Sequence, residues 1–438
     1  MSAFSDKDSP FTIGAVCRRW RHIAWSSPYV WSIFTMVVPR PHISETRIQL
    51  AKEYLSRSGR LPLSINVRAH SFDNSAPGIA QFYPLIDIIN QYSSRWRQLY
   101  LSLPSSLFAL LTFSSASSLL DVDLDCLDED KSSLHTLLPI LPPVVETQYL
   151  HLDPPSMNWT QVTHFTTSLL KVDQVLQILR LGPCLRECVF CDIRFREVDS
   201  PDQAFAPVTH PLLESLRVSL NFDDSEGLFF SKVTLPALQH FQVESSDFDP
   251  LYHDHLASFL TRSSQLRSLK LLEADFDDPE HVLVLLRATP SLEKLQIPYG
   301  SAMENYLAPF YHALSCHLPT NENPIPDFTE PLLPSLRVFD WFGENNFSWD
   351  VLPGFLVPLS QCNNDRRRPL EKISIRCGRK GDPTPYIDEV VLSKLLPFVH
   401  EVQFQLEAPV TLPNGHEEIG DLWEMSLKKI KSNPTQTT

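Results

Sequence analysis

The sequence predicts an α/β fold in which helices and strands alternate, so that stacked helix–strand units form a solenoid with a curved parallel sheet. Three observations support this prediction. A strand-like pattern, L-x-x-L-x-L, recurs from Trp96 onward. Stretches between its copies have apolar residues three and four apart, which is typical of helices. The positions between the leucines are mostly polar, which indicates strands with one face open to solvent.

The first predicted element is an amphipathic helix. Its apolar stripe consists of Ile13, Val16, Trp20, Ile23, Ala24 and Ser27, which are spaced three and four residues apart. The residue before a proline is disfavoured in a helix, so we expect this helix to end at Ser27. A second short helix is then predicted to carry Trp31 and Ile33.

Residues 16–24 (VCRRWRHIA) and 28–31 (PYVW) together resemble the second half of an F-box. In that family the F-box is a small helical module that docks on a Skp-type adaptor and so joins a cullin-RING ubiquitin ligase. The resemblance implies a set of residues that contact the adaptor or pack the head against the first repeats. These are Val16, Cys17, Trp20, Ile23, Ala24, Pro28, Trp31 and Ile33.

An F-box usually begins with a Leu-Pro pair and a helix rich in Ile and Leu, but residues 1–8 are polar. We therefore expect either coding sequence upstream of Met1 or an adaptor contact that departs from the family's usual one. The predicted division is a partial F-box-like head at 1–38, a repeat array at 39–431 and a frayed tail at 432–438.

The array begins with a predicted helix at 44–58, a strand at 61–67 and a helix at 83–92. Eleven strand triplets follow: Trp96/Leu99/Leu101, Leu119/Val122/Leu124, Thr147/Leu150/Leu152, Leu185/Cys188/Phe190, Leu213/Leu216/Val218, Leu238/Phe241/Val243, Leu266/Leu269/Leu271, Leu292/Leu295/Ile297, Leu336/Phe339/Trp341, Leu370/Ile373/Ile375 and Val399/Val402/Phe404. Helices are predicted at 172–180, 254–262, 279–288 and 389–396, and a terminal cap helix at 417–431. One strand and one helix recur roughly every 25 to 30 residues, and units of this length resemble degenerate leucine-rich repeats.

A doubly wound α/β sheet is the alternative fold. Such a sheet buries both faces of its strands and tends to carry a glycine-rich ligand loop. Neither feature is found here, so the repeat array is favoured.

In L-x-x-L-x-L the intervening side chains point to the open, concave face of the sheet. This face is the predicted surface for an unknown target protein. Its candidate residues are Tyr100, Asp123, His151, Arg217, Gln242, Lys270, Gln296, Asp340, Phe342, Arg376 and Gln403.

Composition limits the other classes of function. The net charge of -15 disfavours nucleic acid and anionic membrane as partners. With 12 glycines and no phosphate-binding or hydrolase motif, we expect no enzyme activity and no cofactor. No leader or membrane span is evident, so a cytoplasmic or nuclear location is expected.

Four smaller features have a structural interpretation that is favoured over a functional one. Cys184, Cys188 and Cys191 lack a second ligand pair for zinc. The acidic run around Asp123 lacks the glycine of a calcium loop and is expected to be a solvated face, or to attract a basic partner. Residues 366–368 are expected to form a solvated basic loop, and His253 with His255 to take capping and surface roles.

Two hypotheses follow. The first is a substrate receptor of a Skp-cullin-F-box type ubiquitin ligase, which captures a target on the array and performs no chemistry. The second is an interaction scaffold whose partial F-box only caps the repeats. An enzyme on an α/β fold is a third, less favoured possibility.

Overall fold

The computed structural model describes residues 10–38, 43–69, 76–113, 116–128, 138, 141–150, 152–194, 206–220, 225–244, 250–272, 279–298, 314, 332–343, 347, 349–356, 368–378, 386–411 and 417–432. The chain divides into two compact units, Met1–Arg196 (unit 1) and Glu197–Thr438 (unit 2). The head therefore belongs to the same unit as the first strands. The finer division into head, array and tail stays a prediction.

The described part of unit 1 contains seven strands that pair in chain order, all in parallel. They are β1 (Ile33–Val38), β2 (Leu63–Ala69), β3 (Trp96–Leu103), β4 (Asp121–Cys126), β5 (Val144–Gln148), β6 (His164–Ser168) and β7 (Glu187–Ile193). Its helices are α1 (Pro10–Val16), α2 (Arg18–Ser26), α3 (Glu45–Arg57), α4 (Ala76–Ala80), α5 (Tyr83–Asn90), α6 (Ser105–Phe108) and α7 (Val172–Leu181).

Unit 2 repeats the arrangement. Its sheet consists of β9 (Ser215–Leu220), β11 (His240–Glu244), β12 (Ser268–Leu272), β13 (Lys294–Pro298), β14 (Val338–Gly343), β15 (Lys372–Cys377), β16 (Gln403–Thr411) and a final antiparallel strand, β17 (Glu417–Asp421). A separate parallel pair is formed by β8 (Val208–Thr209) and β10 (Val233–Thr234). The helices are α8 (Ser225–Lys232), α9 (Pro250–Arg262), α10 (Pro279–Arg287), α11 (Leu352–Phe355), α12 (Glu389–Leu395) and α13 (Leu422–Ser432).

Buried side chains form continuous rows across each sheet. One row of unit 1 consists of Phe34, Ile65, Leu99, Val122, Val145, Phe165 and Cys188, which are register partners with at most 1% exposure. The residues that alternate with them along each strand lie on the opposite, partly open face of the sheet. Sequential strand order and one open face are the properties of a leucine-rich-repeat-like array, and the predicted fold class is confirmed. A doubly wound sheet would reverse its strand order and bury both faces.

The head differs from the prediction of one continuous helix. Cys17 has extended backbone angles (φ -159°, ψ 172°) and separates α1 from α2. Its Sγ accepts a hydrogen bond from the Trp20 backbone N–H at 3.5 Å, so Cys17 caps α2. A 3-10 helix, Pro28–Trp31, follows, and Ile33 starts strand β1 instead of lying on a second helix.

Trp31 joins the head to the first repeat. It is fully buried, and its indole N–H donates to the Ala24 carbonyl at 2.7 Å. The Tyr54 ring packs edge-on against it at 5.1 Å, and the Tyr54 hydroxyl donates to the Ile33 carbonyl at 2.6 Å. The Arg57 guanidinium lies over the same indole, 5.3 Å from the ring centre.

Replacing Trp31 with alanine is expected to lower the free energy of unfolding by about 3 to 5 kcal/mol, because it leaves a cavity at this junction. Trp20→Ala is the matched control, since Trp20 is 52% exposed and its removal should change stability by less than about 1 kcal/mol. Urea unfolding followed by circular dichroism measures both. Equal losses for the two variants would contradict this assignment.

Several elements differ from the sequence prediction. The predicted cap helix at 417–431 is the strand β17 followed by α13. The strand expected around Thr147 begins at Val144. Strand β6 was not predicted, because in its sequence, HFTTS, only Phe165 is a large aliphatic or aromatic core residue. Residues 366 and 367 lie outside the described residues.

Buried or partly buried arginines connect neighbouring repeats. Arg95 donates to the Leu61 carbonyl at 2.8 Å and to the Ser58 hydroxyl at 2.7 Å. Arg262 donates to the Phe230 carbonyl at 2.6 Å. Arg368 was expected in a solvated loop, but it is 4% exposed and donates to carbonyls of the preceding repeat, including that of Leu332. Each guanidinium donates hydrogen bonds to backbone carbonyls of the preceding repeat. These carbonyls have no donor within the helices and strands.

Arg95→Met is expected to cost about 1 to 3 kcal/mol of unfolding free energy, because it keeps the aliphatic stem but leaves these acceptors without their donor. Arg97→Met, two residues away at an exposed position, should change stability by less than about 0.5 kcal/mol. Chemical denaturation of the two variants compares their unfolding free energies. An Arg95→Met variant as stable as the unaltered chain would contradict this role of Arg95.

Candidate functional site

The eight head residues predicted to contact an adaptor or to pack the head fall into two groups. Ala24 and Trp31 are buried, with 1% and 0% exposure. The others are exposed: Val16, Cys17, Trp20, Ile23, Pro28 and Ile33. The structure therefore assigns the packing role to the first two residues. Of the apolar stripe, Val16, Trp20 and Ile23 face outward.

The exposed side of α2 combines apolar and basic side chains. Trp20 and Ile23 are three residues apart, so they lie on the same side of the helix, and they are 52% and 54% exposed. Arg18 and Arg19 are exposed beside them. The Arg21 guanidinium donates to the Gly14 carbonyl at 2.8 Å, which fixes α1 against α2. Large apolar groups on a rigid helix pair are typical of a protein-binding surface.

The open face of unit 1, formed by the outward side chains of β1–β7, is acidic. Its outward strand positions carry six carboxylates and two guanidiniums: Asp121, Asp123, Asp125, Glu146, Glu187, Asp192, Arg68 and Arg97. Asp121 accepts a hydrogen bond from the Tyr100 hydroxyl, and Asp125 accepts one from Ser102 at 2.7 Å. The predicted residues Tyr100 and Asp123 are thus register partners within this face.

Asp123 lies directly opposite Glu146 on the neighbouring strand. Neither carboxylate has a hydrogen bond or ion pair within the residues that the structure describes. Partial burial, followed by repulsion from Glu146 and Asp125, raises the pKa of Asp123 to about 6, against a smaller, opposing attraction from the Arg68 guanidinium. Burial and the hydrogen bond to Asp121 also raise the pKa of the Tyr100 phenol. The centre of this face therefore holds negative charge at a cost in stability.

The sign of the pH dependence follows from this raised pKa. The folded chain binds the Asp123 proton more tightly than the unfolded chain, so stability falls as the pH rises from 3.8 to about 6. Asp123→Asn should raise the unfolding free energy at neutral pH by about 1 kcal/mol, after allowance for solvent screening. The gain should vanish near pH 4.

Urea unfolding of Asp123→Asn and of the unaltered chain at several pH values tests this. Asp340→Asn is the control, because Asp340 lies 3.7 Å from the Lys294 ammonium and its removal relieves no repulsion. A gain that is constant with pH would show that the repulsion is not its source.

In unit 2, five predicted residues form one row. Arg217, Gln242, Lys270, Gln296 and Asp340 are register partners across five adjacent strands. They lie on the open side, while the residues on either side of them in each strand are buried. The structure thus brings these residues together as the sequence predicted, and their role in binding stays a prediction.

The charges of this second face are largely paired. Arg217 lies 3.5 Å from Glu244, and Arg376 donates to Glu407 at 2.9 Å. The hydrogen bond from Gln405 and the adjacent Arg376 lower the pKa of Glu407. The other two predicted residues here are Phe342, which is 47% exposed, and Gln403, which is exposed at the start of β16. This face is mixed in charge, unlike that of unit 1.

The remaining sequence candidates have structural roles or lie elsewhere. His151 lies outside the described residues. Cys188 is buried, and burial raises the pKa of its thiol. Within the described ranges, no group of three or more His, Cys, Asp or Glu side chains is arranged to hold a metal. None of the described helices has both the length and the hydrophobicity that a membrane span requires. His253 was expected at the surface, but it is 1% exposed and its ring stacks on that of His281 at 4.0 Å.

A feature that the sequence did not indicate lies at the exit of three strands. Tyr149, Leu169 and Asp192 have positive φ angles of 58°, 62° and 53°. They occupy the same ladder position, because Ser168 pairs with Cys191 and Thr147 with Thr167. This conformation leaves two outward residues in succession before the next buried one. Residue type gives no signal for it, since tyrosine and leucine rarely adopt this conformation.

Comparison with protein-family models and with curated proteins gave no match for this chain. Among solved structures, an internalin from Listeria monocytogenes matches 92% of this chain and 95% of its own chain, with 13% sequence identity and a TM-score of 0.35. The strand order, register and burial of this chain itself define its fold.

Proposed function

We propose that this chain is a non-catalytic substrate receptor of a Skp-cullin-F-box type ubiquitin ligase. In this proposal the exposed side of the head binds a Skp-type adaptor, which links the chain to the cullin ligase. The open strand faces bind the target protein.

The observation that carries the proposal is the outward position of Val16, Trp20 and Ile23 in the F-box-like segment. A segment that served only to cap the repeats would be expected to turn its large apolar side chains inward. Instead Ala24 and Trp31 make the internal contacts, while Trp20 and Ile23 are more than half exposed. An aromatic and an aliphatic side chain exposed on one helix side are typical of the centre of a protein interface.

The alternative function is an interaction scaffold with a head that only caps the array. The packing of Trp31 against Tyr54 and Arg57 favours it, because this cluster covers the end of the first repeat. Both functions use the open faces for protein binding, and they differ in whether the head has a partner.

Binding of the full chain to a purified Skp-type adaptor, measured by isothermal titration calorimetry, tests the proposal. Trp20→Ala with Ile23→Ala should weaken binding by at least about 30-fold, the effect expected for hot-spot residues. Val390→Ala with Ile419→Ala is the matched control, since these residues are 61% and 67% exposed in unit 2. It should bind like the unaltered chain.

No adaptor binding by the unaltered chain, or unchanged binding by the Trp20 and Ile23 variant, would favour the scaffold. The circular dichroism spectrum of each variant establishes that it is folded.

A further inference from the structure

A cavity of about 160 Å³ opens in unit 1 where strands β1, β2 and β3 begin. Its lining includes Tyr29, Ile33, Pro62, Arg97 and Gln98. Tyr29 is 74% exposed and Ile33 is 63% exposed. The space is about that needed to hold one aromatic side chain. All of these residues belong to unit 1 and surround the entry edge of its open face.

The cavity is continuous with the acidic part of this face. Ile33, Ser64, Gln98 and Asp121 are successive register partners across four strands. The Gln98 amide, which lines the cavity, also donates to the Asp121 carboxylate at 3.4 Å. The nearest carboxylates, Asp121 and Asp123, therefore lie on the strand next to the one that lines the cavity.

The spacing fits an extended chain. Neighbouring strands are about 4.8 Å apart, and a strand advances about 3.3 Å per residue. Asp123 lies one strand beyond Gln98 and two residues farther along, at a separation of about 8 Å. Two to three residues of extended polypeptide cover that distance.

The charge defines what should lie there. Asp123 and Glu146 face each other, and within the described residues neither has a donor of its own. A cation placed between them would relieve their repulsion. A phosphate backbone or an anionic lipid surface would instead be repelled.

We propose that the open face of unit 1 binds an extended segment of the target protein in which one bulky apolar side chain is followed, two to four residues later, by Lys or Arg. The apolar side chain occupies the cavity beside Tyr29 and Ile33, and the cations lie over Asp123 and Glu146. This inference rests on the proposed use of the open faces for target binding, and it does not depend on the adaptor.

The test measures fluorescence anisotropy of a labelled nine-residue peptide with the full chain. The peptide has one phenylalanine followed by two arginines at alternate positions, in a serine and glycine background. A second peptide has glutamates in place of the arginines, and a third has serine in place of the phenylalanine. We expect the first to bind, with an affinity that falls as salt is added, and the other two to bind at least about tenfold more weakly.

Two variants locate the site. Asp123→Asn with Glu146→Gln should weaken binding at least about fivefold, although the same neutralisation stabilises the fold. Ile33→Ser should weaken it similarly by removing the apolar rim. The controls are Glu371→Gln with Glu424→Gln, which remove two exposed carboxylates of unit 2, and Ile419→Ser, a residue 67% exposed. Both controls should bind as the unaltered chain does.

The proposal is overturned if none of the peptides binds, if the glutamate peptide binds as well as the arginine peptide, or if the controls lose as much affinity as the site variants. Tyr29→Ser provides a second cavity variant if Ile33→Ser does not fold. Adaptor binding is measured with the Trp20 and Ile23 variant, so failure of one proposal is distinguishable from failure of the other.

Discussion

The structure depends on the burial of apolar rows that run across neighbouring strands in register. One strand and one helix cannot bury their apolar sides alone, so each repeat is stable only against the next. In unit 2, for example, Leu216, Phe241, Leu269, Leu295, Phe339 and Ile373 form one such row with at most 2% exposure. Because side chains alternate along a strand, burying one row directs its neighbours outward. The open faces are therefore a direct consequence of the core.

The rows also tolerate polar members when those members pair. Thr147 and Thr167 are buried register partners in unit 1, and their hydroxyls are 3.1 Å apart. Each would cost stability if it were buried alone, since an unpaired hydroxyl loses its water. Arg95, Arg262 and Arg368 likewise give backbone carbonyls of the preceding repeat a hydrogen-bond donor. These polar groups are thus held by a partner on the adjacent repeat, which favours this order of the strands.

Sequence patterns predicted most of the strands because a buried leucine row repeats with the strand period. They failed where the local signal was weak or the deciding contact was distant. Nothing in the periodicity marks Cys17 as a break, since the apolar stripe continues through it. Strand β6 has few large apolar residues, and Thr167 takes a core position because Thr147 lies opposite. The sequence also could not predict which tryptophan is exposed. Trp20 and Trp31 are the same residue type, and only their packing in the fold makes one exposed and the other buried.

The two open faces share one strand geometry but differ in charge: many charges are paired on the face of unit 2, and like charges adjoin on the face of unit 1. In unit 2 Lys294 has Asp340 and Arg217 has Glu244 on the adjacent strand, so much of the charge is balanced within the face. In unit 1 Asp123 and Glu146 are direct neighbours of like sign, an arrangement that destabilises a sheet. The net charge of the chain gives no hint of this difference, because it depends on register. Repulsion retained at the centre of an open surface costs stability in the isolated chain, and a bound cation would relieve it, as expected of a binding site.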